Sequence, residues 1–361
     1  MKIAMVSECA NPGDHVTGLS TALVRAGHDV TVYTRRRNAG SPEPLSEFAE
    51  YLNAQWAVDR PDVAHAHFWT SGLSTQLAAR AHGVPTVQTF RSLAVTEHRH
   101  DIRGATLDAR SKMERLLARQ AGWVVATCAD ELVDLMRLGR PRSQISTVPC
   151  GVDVDAFSTE GPVADRGDSR RIVAVGKLVP HNGFSTVIEA LPGILGAEYV
   201  VVGSHGDEQA GTEEEYRRLR ALAADRGVSD RVRFVGPVDH SDMPALLRSA
   251  DVVTCTPWYD AFGLVSLEAM ACGVPVVASA VGGMRDAVVH DVTGRLVTPR
   301  RPRECAEAVT AILRDSFLRR SLGLAGRDRA CARFTWDRAA ADTARVYERL
   351  VSAVTGAWQP A

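Results

Sequence analysis

Short runs of consecutive apolar residues alternate along this chain with stretches where apolar positions recur every three or four residues. The first run, Ile3 to Val6, leads into a Gly/Pro/Asp loop and then an amphipathic stretch, Val16 to Ala26, that Gly27 is placed to stop. Asp29 to Thr34 reads as the next strand. Strand, helix, strand in that order implies a parallel pair joined by a right-handed crossover. The alternation continues through Val63 to His67, the helix Ser71 to Ala81, Thr86 to Thr89, Val124 to Cys128 and the helix Ala129 to Leu138.

Ser158 to Arg170 is rich in Gly, Pro, Asp and Ser and reads as a linker. The pattern then restarts with Arg171 to Gly176 and the helix Thr186 to Leu191. Tyr199 to Val202, Val232 to Val235, Val252 to Cys255 and Val274 to Ala278 follow as strands, with helices between. Unbroken Val/Ile runs suit strands covered on both faces, as in parallel sheets. After Phe334-Thr335-Trp336 an amphipathic helix, Ala339 to Leu350, closes the pattern. The pattern predicts an α/β protein of two doubly wound parallel-sheet domains, each binding ligand outside the carboxyl ends of its strands. The expected divisions are residues 1–158, 159–336 and a final helical segment, 337–361.

Composition narrows the function. A chain of 361 residues can bury two cores. A net charge of −1 gives no reason to expect a nucleic-acid partner, and no apolar run approaches a membrane span. Met1 to Val6 is too short for the apolar part of a signal peptide. Seven cysteines without CxxC pairs suit free thiols and a cytoplasmic location rather than a disulfide framework or zinc site. No GxGxxG follows either opening strand and no GxxxxGK[ST] occurs, which disfavours a nicotinamide dehydrogenase and a P-loop ATPase.

The chemistry concentrates in Asp260 to Gly273. An acid sits in a loop, a Gly263-Leu264-Val265 turn follows, and Glu268 lies inside what reads as a helix start. A helix N-terminus offers unpaired N–H groups and a partial positive charge, which suit phosphate. Carboxylates beside it would repel phosphate but accept hydrogen bonds from hydroxyls. Together they suit a nucleotide-sugar.

These residues belong to a wider set. It includes the loop ending in His15-Val16, the segment Pro61 to Trp69, Thr89-Phe90-Arg91, Val148 to Asp153, Val175 to Pro180 and Pro257 to Gly263. In this order they resemble the retaining nucleotide-sugar glycosyltransferases of family 4 (group 1 glycosyltransferases), actinobacterial type, over nearly the whole chain. The resemblance implies the GT-B fold: two Rossmann-like domains facing a central cleft, the acceptor on the N-terminal side and the donor on the C-terminal side.

It also implies a donor site drawn from Gly13, Lys177, Asn182, Asp260, Phe262, Gly263, Leu264, Val265 and Glu268. Glu268 would accept the ribose hydroxyls. Asp260, where the family usually has Glu, would reach the hydroxyls of the donor sugar. N–H groups of Gly263, Leu264 and Val265 would meet sugar and diphosphate, or Gly263 is simply a turn residue. Lys177 stands where Arg usually binds diphosphate, and Asn182 where Lys usually stabilises the leaving phosphate, so one cation is missing. His181 could replace it or be a surface turn residue. Arg91 stands where the family usually has His; it either restores the lost charge or pairs with Glu97. Catalytic roles are thus expected for Arg91, Lys177 and Asp260.

His15, His67 and Trp69 would line the acceptor pocket, while Phe68 fits either pocket or core. Asp153-Val154-Asp155 has the form of a metal-binding DxD but sits in the hinge-proximal Val148 to Asp153 segment. The resemblance implies no metal and no cofactor beyond the donor.

The expected activity is that of a retaining hexosyl-type glycosyltransferase. It would move a sugar from a nucleoside diphosphate to a small hydroxyl or amine acceptor, a cyclitol or natural product, with the leaving phosphate taking the acceptor proton. Two rivals stay open: a GT-B protein weakened by its departures and acting as a binding or partner subunit, and a GT-B sugar-nucleotide epimerase or phosphorylase.

Overall fold

The computed structural model describes residues 1–361 apart from residues 9–13, 36, 39–40, 103–106, 204–211 and 357–361. The chain forms two compact units, Met1–Gly151 with Trp336–Ala361, and Val152–Thr335. In chain order the first contains β1 (Lys2–Ser7), α1 (His15–Arg25), β2 (Asp29–Thr34), the short hairpin β3 (Arg37–Asn38) and β4 (Ser41–Pro42), α2 (Leu45–Val58) and β5 (Val63–His67). It continues with α3 (Trp69–His82), β6 (Thr86–Thr89), α4 (Ala94–Arg99), α5 (Leu107–Gln120), β7 (Trp123–Ala126), α6 (Ala129–Arg137) and β8 (Ile145–Thr147).

The second unit starts with β9 (Arg170–Val175), α7 (Phe184–Ala190), β10 (Ala197–Val202), α8 (Thr212–Asp225), β11 (Val232–Gly236), α9 (Met243–Arg248) and β12 (Val252–Cys255). Then come α10 (Leu264–Ala271), β13 (Val276–Ser279), α11 (Gly282–Ala287), β14 (Arg295–Val297), α12 (Pro302–Arg314) and α13 (Ser316–Arg333). The chain returns to the first unit as α14 (Trp336–Gly356).

Each unit is built on a six-stranded parallel sheet, ordered β2-β1-β5-β6-β7-β8 and β11-β10-β9-β12-β13-β14. The predicted α/β class of two doubly wound sheets is therefore what the chain forms. Central strands β5, β6, β12 and β13 are buried at every position, polar residues included, as strands covered on both faces are. Edge strands β2 and β11 are partly exposed. Strand order reverses between β1 and β5 in one sheet and between β9 and β12 in the other. Loops leaving those strands diverge there and open a crevice.

Several boundaries depart from the sequence expectation for local reasons. β13 begins after Pro275, which has no N–H for the ladder and instead accepts from Val253 N at 3.0 Å. β7 ends at Ala126 because the Thr127 amide turns to the Glu131 carboxylate, 2.6 Å away. β8 and β14 have three residues each, too few to show a pattern. α2, α5, α12 and α13 were not singled out by the pattern.

Val152 to Phe157 pack with the second unit, where the Arg327 guanidinium donates to Phe157 O (2.8 Å) and to Ala271 O (2.5 Å) at the end of α10. Asp153 Oδ1 accepts from the amides of Asp155 and Ala156, so the DxD-like segment is a self-capped turn. In the first unit α14 lies along α1. A Cβ on Gly18 would come within 2.3 Å of the Trp336 ring, so this contact needs a residue without a side chain.

Candidate active site

In the second unit, the loops leaving β9 and β12 meet where the strand order reverses. Trp258 N donates to His181 O at 2.8 Å, and the Thr256 hydroxyl donates to Gly183 O at 3.0 Å. Gly183 has φ 73°, and a Cβ there would stand 1.8 Å from Thr256 O, so only glycine allows this approach. Lys177 is the second residue past β9. It is exposed, and its ammonium has no ion-pair or hydrogen-bond partner among the described residues. Asn182 Nδ2 donates to Lys177 O at 2.8 Å, so this side chain braces the loop that carries the cation. The Arg300 guanidinium lies 3.6 Å from the centre of the Trp258 ring, a second cation at these loops that the sequence pattern did not single out.

The turn entering α10 is held by Asp260. Its Oδ1 accepts from Phe262 N at 2.8 Å and Gly263 N at 3.1 Å, and its carbonyl accepts from Gly283 N at 3.0 Å. One Asp260 oxygen is thus engaged by main chain, and the Phe262 and Gly263 amides, the latter expected to meet the donor, are satisfied within the turn. Gly263 caps α10 with φ 64°. Leu264 and Val265 begin the helix half-buried, and their amides meet no acceptor among the described residues.

One turn further along α10 sits Glu268, 5% exposed, whose carboxyl has no partner among the described residues. Burial pushes its pKa up to about 8. Cys255, at the end of β12, feels the charges of both Asp260 and Glu268, and burial holds its thiol well above the usual range.

In the first unit, Gly13 lies outside the described residues. His15, His65 and His67 form a buried cluster, with ring centres 5.5 Å apart for His15–His67 and 4.2 Å for His65–His67. His65 is hydrogen-bonded through Nδ1 to the Tyr347 hydroxyl at 2.6 Å and through Nε2 to the Thr89 hydroxyl at 2.8 Å. Burial lowers His65 to about 3, and burial, then Arg91, then His65 lower His15 to about 3. His67 is also pushed far down, by burial first. All three rings are neutral near pH 7.

His67 is 0% exposed, with Nε2 3.0 Å from Met5 Sδ. The expected acceptor contact is therefore unavailable to it: its ring lies in the core. His15, at 5% exposure, is nearly as enclosed. Trp69 is half-buried and packs on the cluster containing Phe90 and Leu93.

Arg91 sits after β6, close enough to His15 and His67 to depress both. It has φ 66°, and Phe68, just after β5, has φ 72°. Left-handed backbone at a non-glycine residue costs on the order of 1–3 kcal/mol and persists only where the surroundings impose it. Sequence reasoning named Glu97 only as a prospective partner of Arg91, whereas it pairs with Arg110, and it missed the buried Arg110 and Glu114, although their spacing of four on a helix was a readable signal.

Residues 13–156 match the family model described as Glycosyltransferase Family 4, and residues 160–329 that described as Glycosyl transferases group 1. The D-inositol 3-phosphate glycosyltransferase of Jonesia denitrificans is 30% identical, over 93% of this chain and 90% of that protein. The fold matches sucrose-phosphate synthase from Thermosynechococcus elongatus with a TM-score of 0.86 and 27% identity, covering 98% of this chain and 99% of the other. It also matches Anabaena HepE in complex with UDP and glucose, with a TM-score of 0.78 and 20% identity, covering 96% and 99%. The resemblance read from the motifs and the GT-B fold it implied are both shown. No helix among the described residues is long and apolar enough to cross a membrane.

Proposed function

The chain belongs to the family 4, or group 1, glycosyltransferases, and we propose that it moves a sugar from a nucleoside diphosphate to a hydroxyl of a small polyol of the cyclitol class, with retention. Glu268 carries this reading. A buried carboxyl without a partner is costly, and two vicinal ribose hydroxyls would each give it the hydrogen bond it lacks. The open Leu264 and Val265 amides, the positive end of α10 and the unpaired Lys177 are suited to the diphosphate.

One Asp260 oxygen is committed to its turn and Glu268 is given to the ribose, so the reading does not call on a carboxylate nucleophile. In the proposed step the bond from anomeric carbon to diphosphate oxygen breaks, and the acceptor oxygen bonds to that carbon on the same face. The acceptor proton passes to the departing diphosphate oxygen. The protein positions the partners and stabilises charge. A polyol acceptor is supported by the names of the relatives, which carry inositol phosphate and sucrose phosphate.

The test has two stages. Melting curves with UDP-, GDP-, ADP- and dTDP-sugars should show one donor raising Tm by mass action. Transfer to inositol and its monophosphates is then followed by NMR for the anomeric configuration. A wild type stabilised by none of the donors, or a Glu268→Ala variant that binds its donor as tightly as wild type, would overturn the reading.

A further inference from the structure

Phe68 is the first residue past the carboxyl end of β5 and Arg91 the second past that of β6, where open α/β sheets bind ligands, and both hold left-handed backbone without being glycine. Something must hold two such turns in place. Arg110, on α5 and 8% exposed, touches both. Its guanidinium lies 5.1 Å from the centre of the Phe68 ring, and one amino group donates to Ser92 O at 2.9 Å. The rest of the fork is fixed by two buried acids, Nε on Glu114 at 2.6 Å and the other amino group on Glu97 at 2.8 Å.

Those acids grip the same segment in return. Glu97 accepts the Ser92 hydroxyl at 2.5 Å, and Glu114 accepts the Ala94 amide at 2.8 Å. Gln88 secures the other turn by donating to Phe68 O and Thr89 O.

We infer that Arg110 is a positioning residue for the acceptor: it clamps the Phe68–Trp69 and Arg91–Ser92 turns against each other in the geometry that receives the hydroxyl. The inference rests on the assignment of the acceptor to the first unit. A planar guanidinium can meet a ring face, a carbonyl and two carboxylates at once. An ammonium at that position is a point charge and cannot.

Arg110→Lys keeps the charge and removes the fork. Hydrogen exchange followed by mass spectrometry should show faster exchange in Arg110→Lys at residues 68–73 and 91–97, with residues 258–268 unchanged. With an inositol monophosphate as acceptor probe, kcat/KM for acceptor should fall about 10- to 100-fold, the scale of a small misplacement of reacting groups. The donor KM should stay within about twofold of wild type.

Glu97→Gln, which keeps the shape of the cluster, should show the same split more weakly, and it decides the matter if Arg110→Lys does not fold. Unchanged exchange in both turns, or donor and acceptor constants shifting together, would overturn the clamp. A wild type that transfers to no polyol sinks the functional reading instead, while the exchange measurement still decides the clamp.

Discussion

Replacing Asp260 by Asn and by Ala separates two roles that the sequence motif confounds. One carboxylate oxygen accepts both the Phe262 and Gly263 amides, and the turn so formed delivers the chain into α10 with Leu264 and Val265 N–H groups open. A hydrogen bond to a charged group contributes about 1.5–3 kcal/mol, and two donors sharing one oxygen give less than twice that. Asp260→Ala should therefore cost about 2–3 kcal/mol in the turn. If the turn is what aims the open amides, kcat/KM falls roughly 30- to 150-fold at 1.36 kcal/mol per factor of ten.

Asn keeps the same oxygen at the same distance from the backbone and loses only the charge. Its penalty should be about 1 kcal/mol, roughly fivefold. Glu adds a methylene, moves the oxygen out of the short ring that closes on residues 262 and 263, and should behave nearer to Ala than to Asn. The assay is steady-state transfer with the donor that stabilises wild type, alongside Tm and the Kd of the matching nucleoside diphosphate. If Asp260→Asn loses as much activity as Asp260→Ala while melting like wild type, the carboxylate charge acts on the donor directly and the positioning argument is wrong.

Other outcomes follow from the same geometry. Lys177→Ala should weaken nucleoside diphosphate binding about 10- to 100-fold by titration calorimetry without lowering Tm, because its exposed ammonium has no partner among the described residues to leave behind. Gly263→Ala should lower stability by roughly 1–2 kcal/mol in denaturant melts, since φ 64° disfavours any side chain and its Cβ would stand 3.0 Å from Ser266 Oγ. For Glu268, the folded pKa of about 8 lies above the unfolded value, so the native state holds more protons between about 4.3 and 8. The stability it contributes is full below that window and falls as pH rises through it, by up to about 1.4 kcal/mol per unit, and Glu268→Gln should flatten the slope. Nucleotide binding near pH 7 should release up to about one proton if ribose hydroxyls favour the carboxylate, as calorimetry in buffers of different ionisation enthalpy would show; no release in wild type counts against that contact.

The fold was legible because the inner strands β1, β9, β10, β12 and β13 are buried and spell themselves out as largely apolar runs, while the short outer strands β8 and β14 do not. The same double burial hid the fate of His67. In a strand covered on both sides, alternation does not distinguish a pocket from a core, and His65 and His67, two apart, share one face inside the protein. The Glu268 and Leu264–Val265 part of the site was readable because helix-start chemistry is local. Beyond the Arg110–Glu114 spacing the Arg110 cluster was not, because it joins residues from three separate segments, at 68, 92–97 and 110–114, that only the tertiary fold brings together.

Two of the departures that the resemblance implied in the second unit, Asn182 and Asp260, share a physical trait. At 182, where the resemblance implied a cation, stands an amide bonded to Lys177 O, and at 260, where it implied a longer acid, stands one short enough to close on its own backbone. Both changes turn a side chain from a prospective ligand contact toward bracing a loop. Charge stabilisation then falls to Lys177, Arg300 on Trp258, and the open amides at the start of α10. Main-chain dipoles fixed in a turn need little reorganisation when charge develops, so rigidity can offset a lost side-chain charge. This ordering has a consequence: restoring a cation with Asn182→Lys removes the amide that holds Lys177 O. The added charge should tighten nucleoside diphosphate binding while kcat fails to rise in proportion. A full gain in kcat would show that charge, and not loop geometry, limits the reaction.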